Sequence, residues 1–198
     1  KKTKPFFDNK IQLDLNCLWV SALVSAEQVL PKNNFLQIGE SYYEHLEKTF
    51  YTKDKLQHTT LKPEVFLEDY AYSIAMFLDL YHQTLKPNYL FRAKELCKKT
   101  IELFYVKEKS IFQKNIVTTN DLFHKPIDIS DGNIPNGNSV MLLNFSRLKM
   151  KNEATELSNS LNGYLNIYKS LMASALKSID YFNTSNSNKN CNEEGCSI

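Results

Sequence analysis

The stretch Asp131–Leu148, DGNIPNGNSVMLLNFSRL, runs a turn straight into a helix, and the rest of the chain is read outward from it. Gly132, Pro135 and Gly137 punctuate the backbone just before an apolar helical pattern begins. Asn138 or Ser139 stands where a side-chain oxygen can accept a free amide hydrogen bond, so the pattern predicts a helix from about Ser139 to Met150. A turn-rich loop that delivers Asp131, Asn136 and Asn138 to a helix start is a candidate pocket rim.

The same alternation of loop and helix recurs upstream. Leu15, Leu18, Trp19, Ala22, Leu23, Ala26, Val29 and Leu30 repeat at spacings of three and four, predicting a first helix over about Ile11–Leu30. Beyond Pro31 a second helix starts near Asn34 and is more amphipathic, with Leu36, Tyr43, Leu46 and Phe50 opposed to Glu40, Glu44, Glu47 and Lys48. Phe66–Leu85 is again apolar, and a charged helix follows it over about Asn88–Phe104. Downstream, a polar sixth helix is expected over about Glu153–Leu165 and a seventh over Tyr168–Phe182. Ser110–Val117 is the one stretch suited to a short hairpin arm.

Loop lengths organise these helices. The links after the first, third and fifth helices are short, and those entering the third and fifth, near Thr52–Glu64 and Tyr105–Asn138, are long. Short links make antiparallel hairpins. The reading is therefore all-α, with stacked hairpins whose odd helices face inward and whose even helices face outward. The odd helices then run parallel, and their N-termini share one face with both long loops, where binding residues concentrate. Residues 1–182 form that helical domain, and the Asn- and Ser-rich 183–198 reads as a flexible polar tail.

Composition narrows the function classes. Apolar residues make up 42% of the 198, enough for a substantial core. Lys plus Arg number 24 against 22 Asp plus Glu, leaving a net charge of +2 with the basic residues scattered, which argues against nucleic acid. No apolar run reaches the roughly 20 residues of a membrane helix, and a cytoplasmic protein is expected. Cys17 and Cys97 fall within helical patterns as core residues, while Cys191 and Cys196 sit in the tail without a matching pair for a metal site. No metal or cofactor motif is present: the sequence holds neither a phosphate-binding glycine loop with its lysine nor HExxH.

The polar residues at the expected loop face are the candidate site. Asp8 and Asn16 flank the start of the first helix, Glu68, Asp69 and Tyr70 open the third, and Asp131 and Asn138 precede or open the fifth. Carboxylates and amides fix hydroxyl groups and aromatic faces cover sugar rings, so this set suits a small polar or sugar-like ligand. Glu68, Asp69 and Asp131 are the candidate catalytic groups; Asp8, Asn16, Tyr70 and Asn138 are the candidate ligand-binding groups. Glu68 and Asp69 point about 100° apart on a helix and cannot flank one bond by themselves. Among the histidines, His58 and His124 lie in the long loops and are the better candidates for proton transfer.

PFFDNK before the first helix, LEDYA followed by FLDLY, and DGNIPNGNSVMLLNFSRL together resemble the C-terminal part of the YyaL family of thioredoxin-domain-containing proteins. That family includes the spermatid-specific thioredoxin-like proteins. The resemblance runs from about Lys4 to Phe182, and Cys191 and Cys196 are a further point of likeness. It implies a larger parent in which an N-terminal thioredoxin-like domain precedes a six-hairpin α/α toroid similar to N-acylglucosamine epimerases and toroidal glycosidases. This chain would be the later part of that toroid. It departs from the family pattern at Leu15, Asn16 and Cys17, where a Trp, Asn, Gly sequence is usual, and at Asn136, where a small Ser or Thr is usual. Loss of that Trp moves any ring stacking to Tyr70 and the aromatics of the seventh helix.

The resemblance implies a carbohydrate-processing-like module that binds, isomerises or hydrolyses a sugar-like ligand. The competing reading is a non-catalytic module that binds a peptide or protein serving the thioredoxin-like domain. A narrow pocket of carboxylates favours the first, and an open apolar groove favours the second.

Overall fold

The computed structural model describes residues 3–5, 7, 9–51, 56–61, 64–116 and 126–190. In chain order it contains α1 (Leu13–Val29), α2 (Phe35–Phe50), α3 (Leu67–Thr84), α4 (Pro87–Phe104), β1 (Tyr105–Val106), β2 (Ile111–Phe112), α5 (Gly137–Arg147), α6 (Lys151–Tyr168) and α7 (Ala173–Asn190). The all-α reading holds, and the hairpin order holds with it.

α3 packs on α1 and α5, and α5 packs on α7, so the odd helices form a row. α2, α4 and α6 each pack on the odd helix that precedes them. Burial follows that arrangement. α3 buries residues all round, including Tyr70, Ala71, Tyr72, Ile74, Met76, Phe77 and Leu80, as a helix flanked on several sides must. α4 buries one stripe only, Tyr89, Ala93, Leu96, Cys97, Thr100 and Phe104. Full burial of each large apolar side chain contributes about 1.5–3 kcal/mol, so this row carries most of the core. Polar stitches fix its register: Asn144 Nδ2 donates to the Ala71 carbonyl at 2.8 Å, and Arg147 pairs with Asp79 at 2.7 Å.

Local chemistry sets the helix ends. α3 stops at Leu85, whose φ of 56° places it in the left-handed region, and Pro87 opens α4 with the φ that a first turn requires. α5 starts at Gly137 and not at Ser139, because Asn136 is the cap: its side chain accepts the Ser139 amide at 3.0 Å. The small antiparallel arm is β1 with β2, closer to α4 than the sequence suggested, since Ser110 with φ 49° closes its turn. α6 runs to Tyr168, and a 3₁₀ turn over Lys169–Leu171 delays α7 to Ala173. α7 then continues as helix to Asn190, past Phe182, where the polar tail was expected to begin. Cys191 and Cys196 lie outside the described residues.

α1 differs from α3 in having an uncovered side. Leu13, Cys17, Val20 and Val24 face the core, while Leu15, Trp19 and Val29 lie on other faces in solvent, with Trp19 54% exposed. The two described thiols are core groups, as expected, and burial raises both Cys17 and Cys97 to about 12. No helix among the described residues is long and apolar enough to cross a membrane.

Candidate functional site

Parallel odd helices bring their N-termini to one end of the row, and a cavity of about 320 Å³ opens there. Asp14 enters it from α1, Phe66 and Glu68 from the start of α3, His58 from the α2–α3 loop, and Lys114 and Asp128 from the segments flanking the β-arm loop. Ser130, Gly132, Ile134, Pro135 and Asn136 close it with the DGNIPN turn. The volume suits a ligand of monosaccharide size.

Backbone pairing makes this end rigid. The His58 carbonyl accepts the Leu13 amide at 2.9 Å, and Gln12 bridges Thr59, so the His58 loop is tied to the start of α1. The Lys114 carbonyl accepts the Leu67 amide at 2.9 Å, tying the arm to the start of α3. Tyr72 donates its hydroxyl hydrogen to the Pro135 carbonyl, which holds the DGNIPN turn against α3. Gly137 is needed where α5 meets α3, because a Cβ there would lie 2.8 Å from Leu67 Cγ and 3.2 Å from Glu68 Oε1.

His58 is the best-oriented titratable group. Its Nδ1 lies 2.9 Å from Asp69 Oδ1 and 4.0 Å from Asp14 Oδ1, and its Nε2 lies 3.1 Å from Gln12 Nε2. These contacts agree with a ring that donates from Nδ1 to Asp69 and accepts the Gln12 amide at Nε2. The hydrogen bond to Asp69 holds the His58 pKa above its usual 6.5, aided by the Asp69, Asp14 and Glu68 charges and opposed by burial. Burial likewise raises the Glu68 carboxyl, against the pull of its own amide, Lys114 and the Gly137 amide. Asp14 is raised by burial too, and Asp69 adds to the rise while the Leu15 amide and His58 oppose it. Lys114 is raised by its hydrogen bond to Asp128, 3.0 Å away. Asp14, His58 and Asp69 also place their ligating atoms within 4.8 Å of one another, a spacing a metal ion could span.

The residues singled out from sequence divide into distinct jobs. Glu68 lines the cavity. Asp69 is fully buried behind it, with Oδ1 on His58 and Oδ2 accepting the Phe66 amide at 2.8 Å, so it orients the histidine and the helix start. Asp131 accepts the Asn136 amide through Oδ1 and the Ser174 amide through Oδ2, pinning the turn to α7. Asn138 is fully buried; its Oδ1 accepts the Phe112 amide, and its Nδ2 donates to the Phe112 and Asp128 carbonyls. Asn16 is engaged by the Gln12 carbonyl and the Tyr42 hydroxyl, and Tyr70 is core, edge-on to Phe104. Asn16, Tyr70, Asp131 and Asn138 are thus not among the residues lining the cavity, because their polar atoms or rings are committed elsewhere. Asp8 and His124 lie outside the described residues.

Asp14, Lys114 and Asp128 were missed from sequence. A positional signal marks Asp14: it is the second residue of α1, as Glu68 is of α3, and both follow a leucine. Nothing local marks Lys114 or Asp128, since only the long loop's path brings them to the cavity.

No protein-family model and no curated protein matches the chain by sequence. Solved structures do match its fold. The GH76 α-mannanase BT2949 of Bacteroides thetaiotaomicron superposes with a TM-score of 0.71 at 13% identity, over 96% of this chain and 56% of that one. The cellobiose 2-epimerase of Bacillus thermoamylovorans gives 0.61 at 16% identity, over 92% and 62%. A sugar epimerase from a ruminal bacterium gives 0.63 at 12%, over 94% and 61%. The likeness establishes the fold alone. It is the α/α hairpin fold of toroidal glycosidase- and epimerase-like proteins, and this chain spans less than two thirds of the length of each of these three. The resemblance to thioredoxin-domain proteins is an expectation from the sequence motifs that no family model supports.

Proposed function

We propose that the chain is a carbohydrate-processing-like module, the later part of an α/α toroid, and that the cavity at the N-termini of α1 and α3 holds a sugar-like ligand. The observation that carries this reading is the meeting of Asp14, His58 and Glu68 in one small cavity, each with its proton affinity displaced. Solved sugar epimerases and a mannanase of the same fold support it. A small cavity lined by Asp14, His58, Glu68, Lys114 and Asp128 suits hydroxyl groups better than a peptide's apolar side chains.

In this proposal His58 moves the proton, Asp69 is its positioning residue, and Glu68 is the facing acid or base. Gln12 occupies His58 Nε2 and gives way when a ligand hydroxyl or C–H takes its place. Such a pair serves epimerisation by proton transfer at carbon or hydrolysis of a glycosidic bond. Binding and turnover of a monosaccharide and disaccharide panel test the reading. Glu68→Gln and His58→Gln are expected to lower turnover by about a hundredfold or more while the far-ultraviolet spectrum stays native. Full activity in both variants would remove the assignment.

A second reading concerns the uncovered side of α1, where Leu15, Trp19 and Val29 stand in solvent. In a larger parent this side would pack against a further helical hairpin of the toroid, with a thioredoxin-like domain upstream. Burial of Trp19, the chain's single tryptophan, would shift its emission to shorter wavelength in the longer protein.

A further inference from the structure

We propose that the cavity takes a sugar bearing a protonated amine, held through Asp14 and Glu68. This rests on the sugar-module reading above and adds the charge of the ligand. The charge balance of the cavity wall points to that ligand. Lys114 Nζ lies 3.0 Å from Asp128 and His58 Nδ1 lies 2.9 Å from Asp69, so each cation among the described residues that line the cavity already has a carboxylate of its own. Among the described residues Asp14 has only a distant share of His58, at 4.0 Å, besides the Leu15 amide that its Oδ1 accepts. Glu68 is faced by its own amide and that of Gly137, with Lys114 as its favourable charge, and forms no salt bridge among the described residues.

Among the described residues the wall carries Asp14, Glu68 and Asp128 against Lys114 and His58, with Asp69 buried behind His58, an excess of negative charge whichever way His58 is protonated. The groups that recognise anionic sugars are placed elsewhere. Neither of the chain's two arginines lines the cavity: Arg92 is engaged with Glu47 and Glu95, and Arg147 with Asp79. A uronate or a phosphate would meet uncompensated carboxylates, and a neutral sugar would leave them unmatched. An ammonium group supplies the missing countercharge and donates hydrogen bonds to both acids, while ring hydroxyls meet the Ser130 and Asn136 side of the cavity. Burial that raises Asp14 and Glu68 in the free protein makes the gain from a bound cation larger.

Calorimetric titration of the full chain at neutral pH with glucosamine, N-acetylglucosamine, glucose and glucuronate tests this. Glucosamine is expected to bind about tenfold or more tightly than glucose and N-acetylglucosamine, and glucuronate more weakly than either. Glu68→Gln is expected to collapse the gap between glucosamine and glucose, with Asp14→Asn as the second variant and thermal unfolding as the check that each is folded. Equal affinity for glucosamine and glucose would overturn the charge assignment and leave the sugar reading standing. Absence of binding by every sugar would overturn both. Binding of ethanolamine as tightly as glucosamine would also overturn the proposal, since the site would then read an amine without a sugar.

Discussion

The N-terminus of α5 and the N-termini of α1 and α3 lie at the same end of the helix row and carry similar polar residues, yet they are wired in opposite ways. At α5, Asn136, Asn138 and Asp131 are committed inside the protein to Ser139, Phe112, Asp128 and Ser174. At α1 and α3, Asp14 and Glu68 face a cavity with raised pKa values and, among the described residues, no cation of their own, beside a histidine held in one orientation. The contrast separates architecture from chemistry. Polar groups that satisfy one another hold a fold, and charges left unmatched beside a cavity are what the proposed ligand site rests on.

Substitutions should pull the two regions apart. Asn138→Ala strands the Phe112 amide and two carbonyls in the core, and is expected to lower unfolding stability by about 3 kcal/mol in urea titration. Glu68→Gln should do the reverse, raising stability at neutral pH by about 0.5–1 kcal/mol because a half-buried carboxylate without a salt bridge among the described residues is removed, while ligand binding falls. If Glu68→Gln instead destabilises as Asn138→Ala does, the two helix starts are not different in kind.

A smaller effect follows from His58. Its folded pKa stands above 6.5, so the His58–Asp69 contact stabilises the fold fully below about pH 6.5, and that contribution is lost as pH rises through the folded value. Asp14 and Glu68, also raised, share that sign at lower pH: each favours the fold most below its unfolded value of 3.8 or 4.5 and loses this as it ionises in the folded state. Asp69→Asn should flatten the near-neutral part of the stability–pH curve by less than about 1 kcal/mol. An unchanged slope would mean that Asp69 does not set the histidine's proton affinity.

Fold and site were legible in the sequence to different degrees. Periodicity and loop length were enough for the helix row, since burial stripes such as Leu46, Phe50 and Phe77, Leu80 are written directly in residue spacing. The position of the cavity was legible too, because parallel odd helices must gather their N-termini at one end. Residue roles were not. Asn138 and Glu68 both occupy the second position of their helices, and only the path of the β-arm, which runs past Asn138 and brings Lys114 to Glu68, makes one a structural clamp and the other a cavity wall. Beyond its place in the helix, Asp14 carries no local mark of a site, because its contact with the His58 loop is set by a backbone bond between Leu13 and His58, far apart in sequence.

Two-dimensional amide spectra of the isotopically labelled chain, titrated with a monosaccharide that binds, test the central claim most directly. The account predicts that shifts concentrate at Asp14, His58, Glu68 and Gly132–Asn136, with Asn16 and the α7 amides beyond Ser174 unmoved. Shifts centred on the exposed side of α1, around Leu15 and Trp19, would contradict it and place the binding surface on the edge of the helix row.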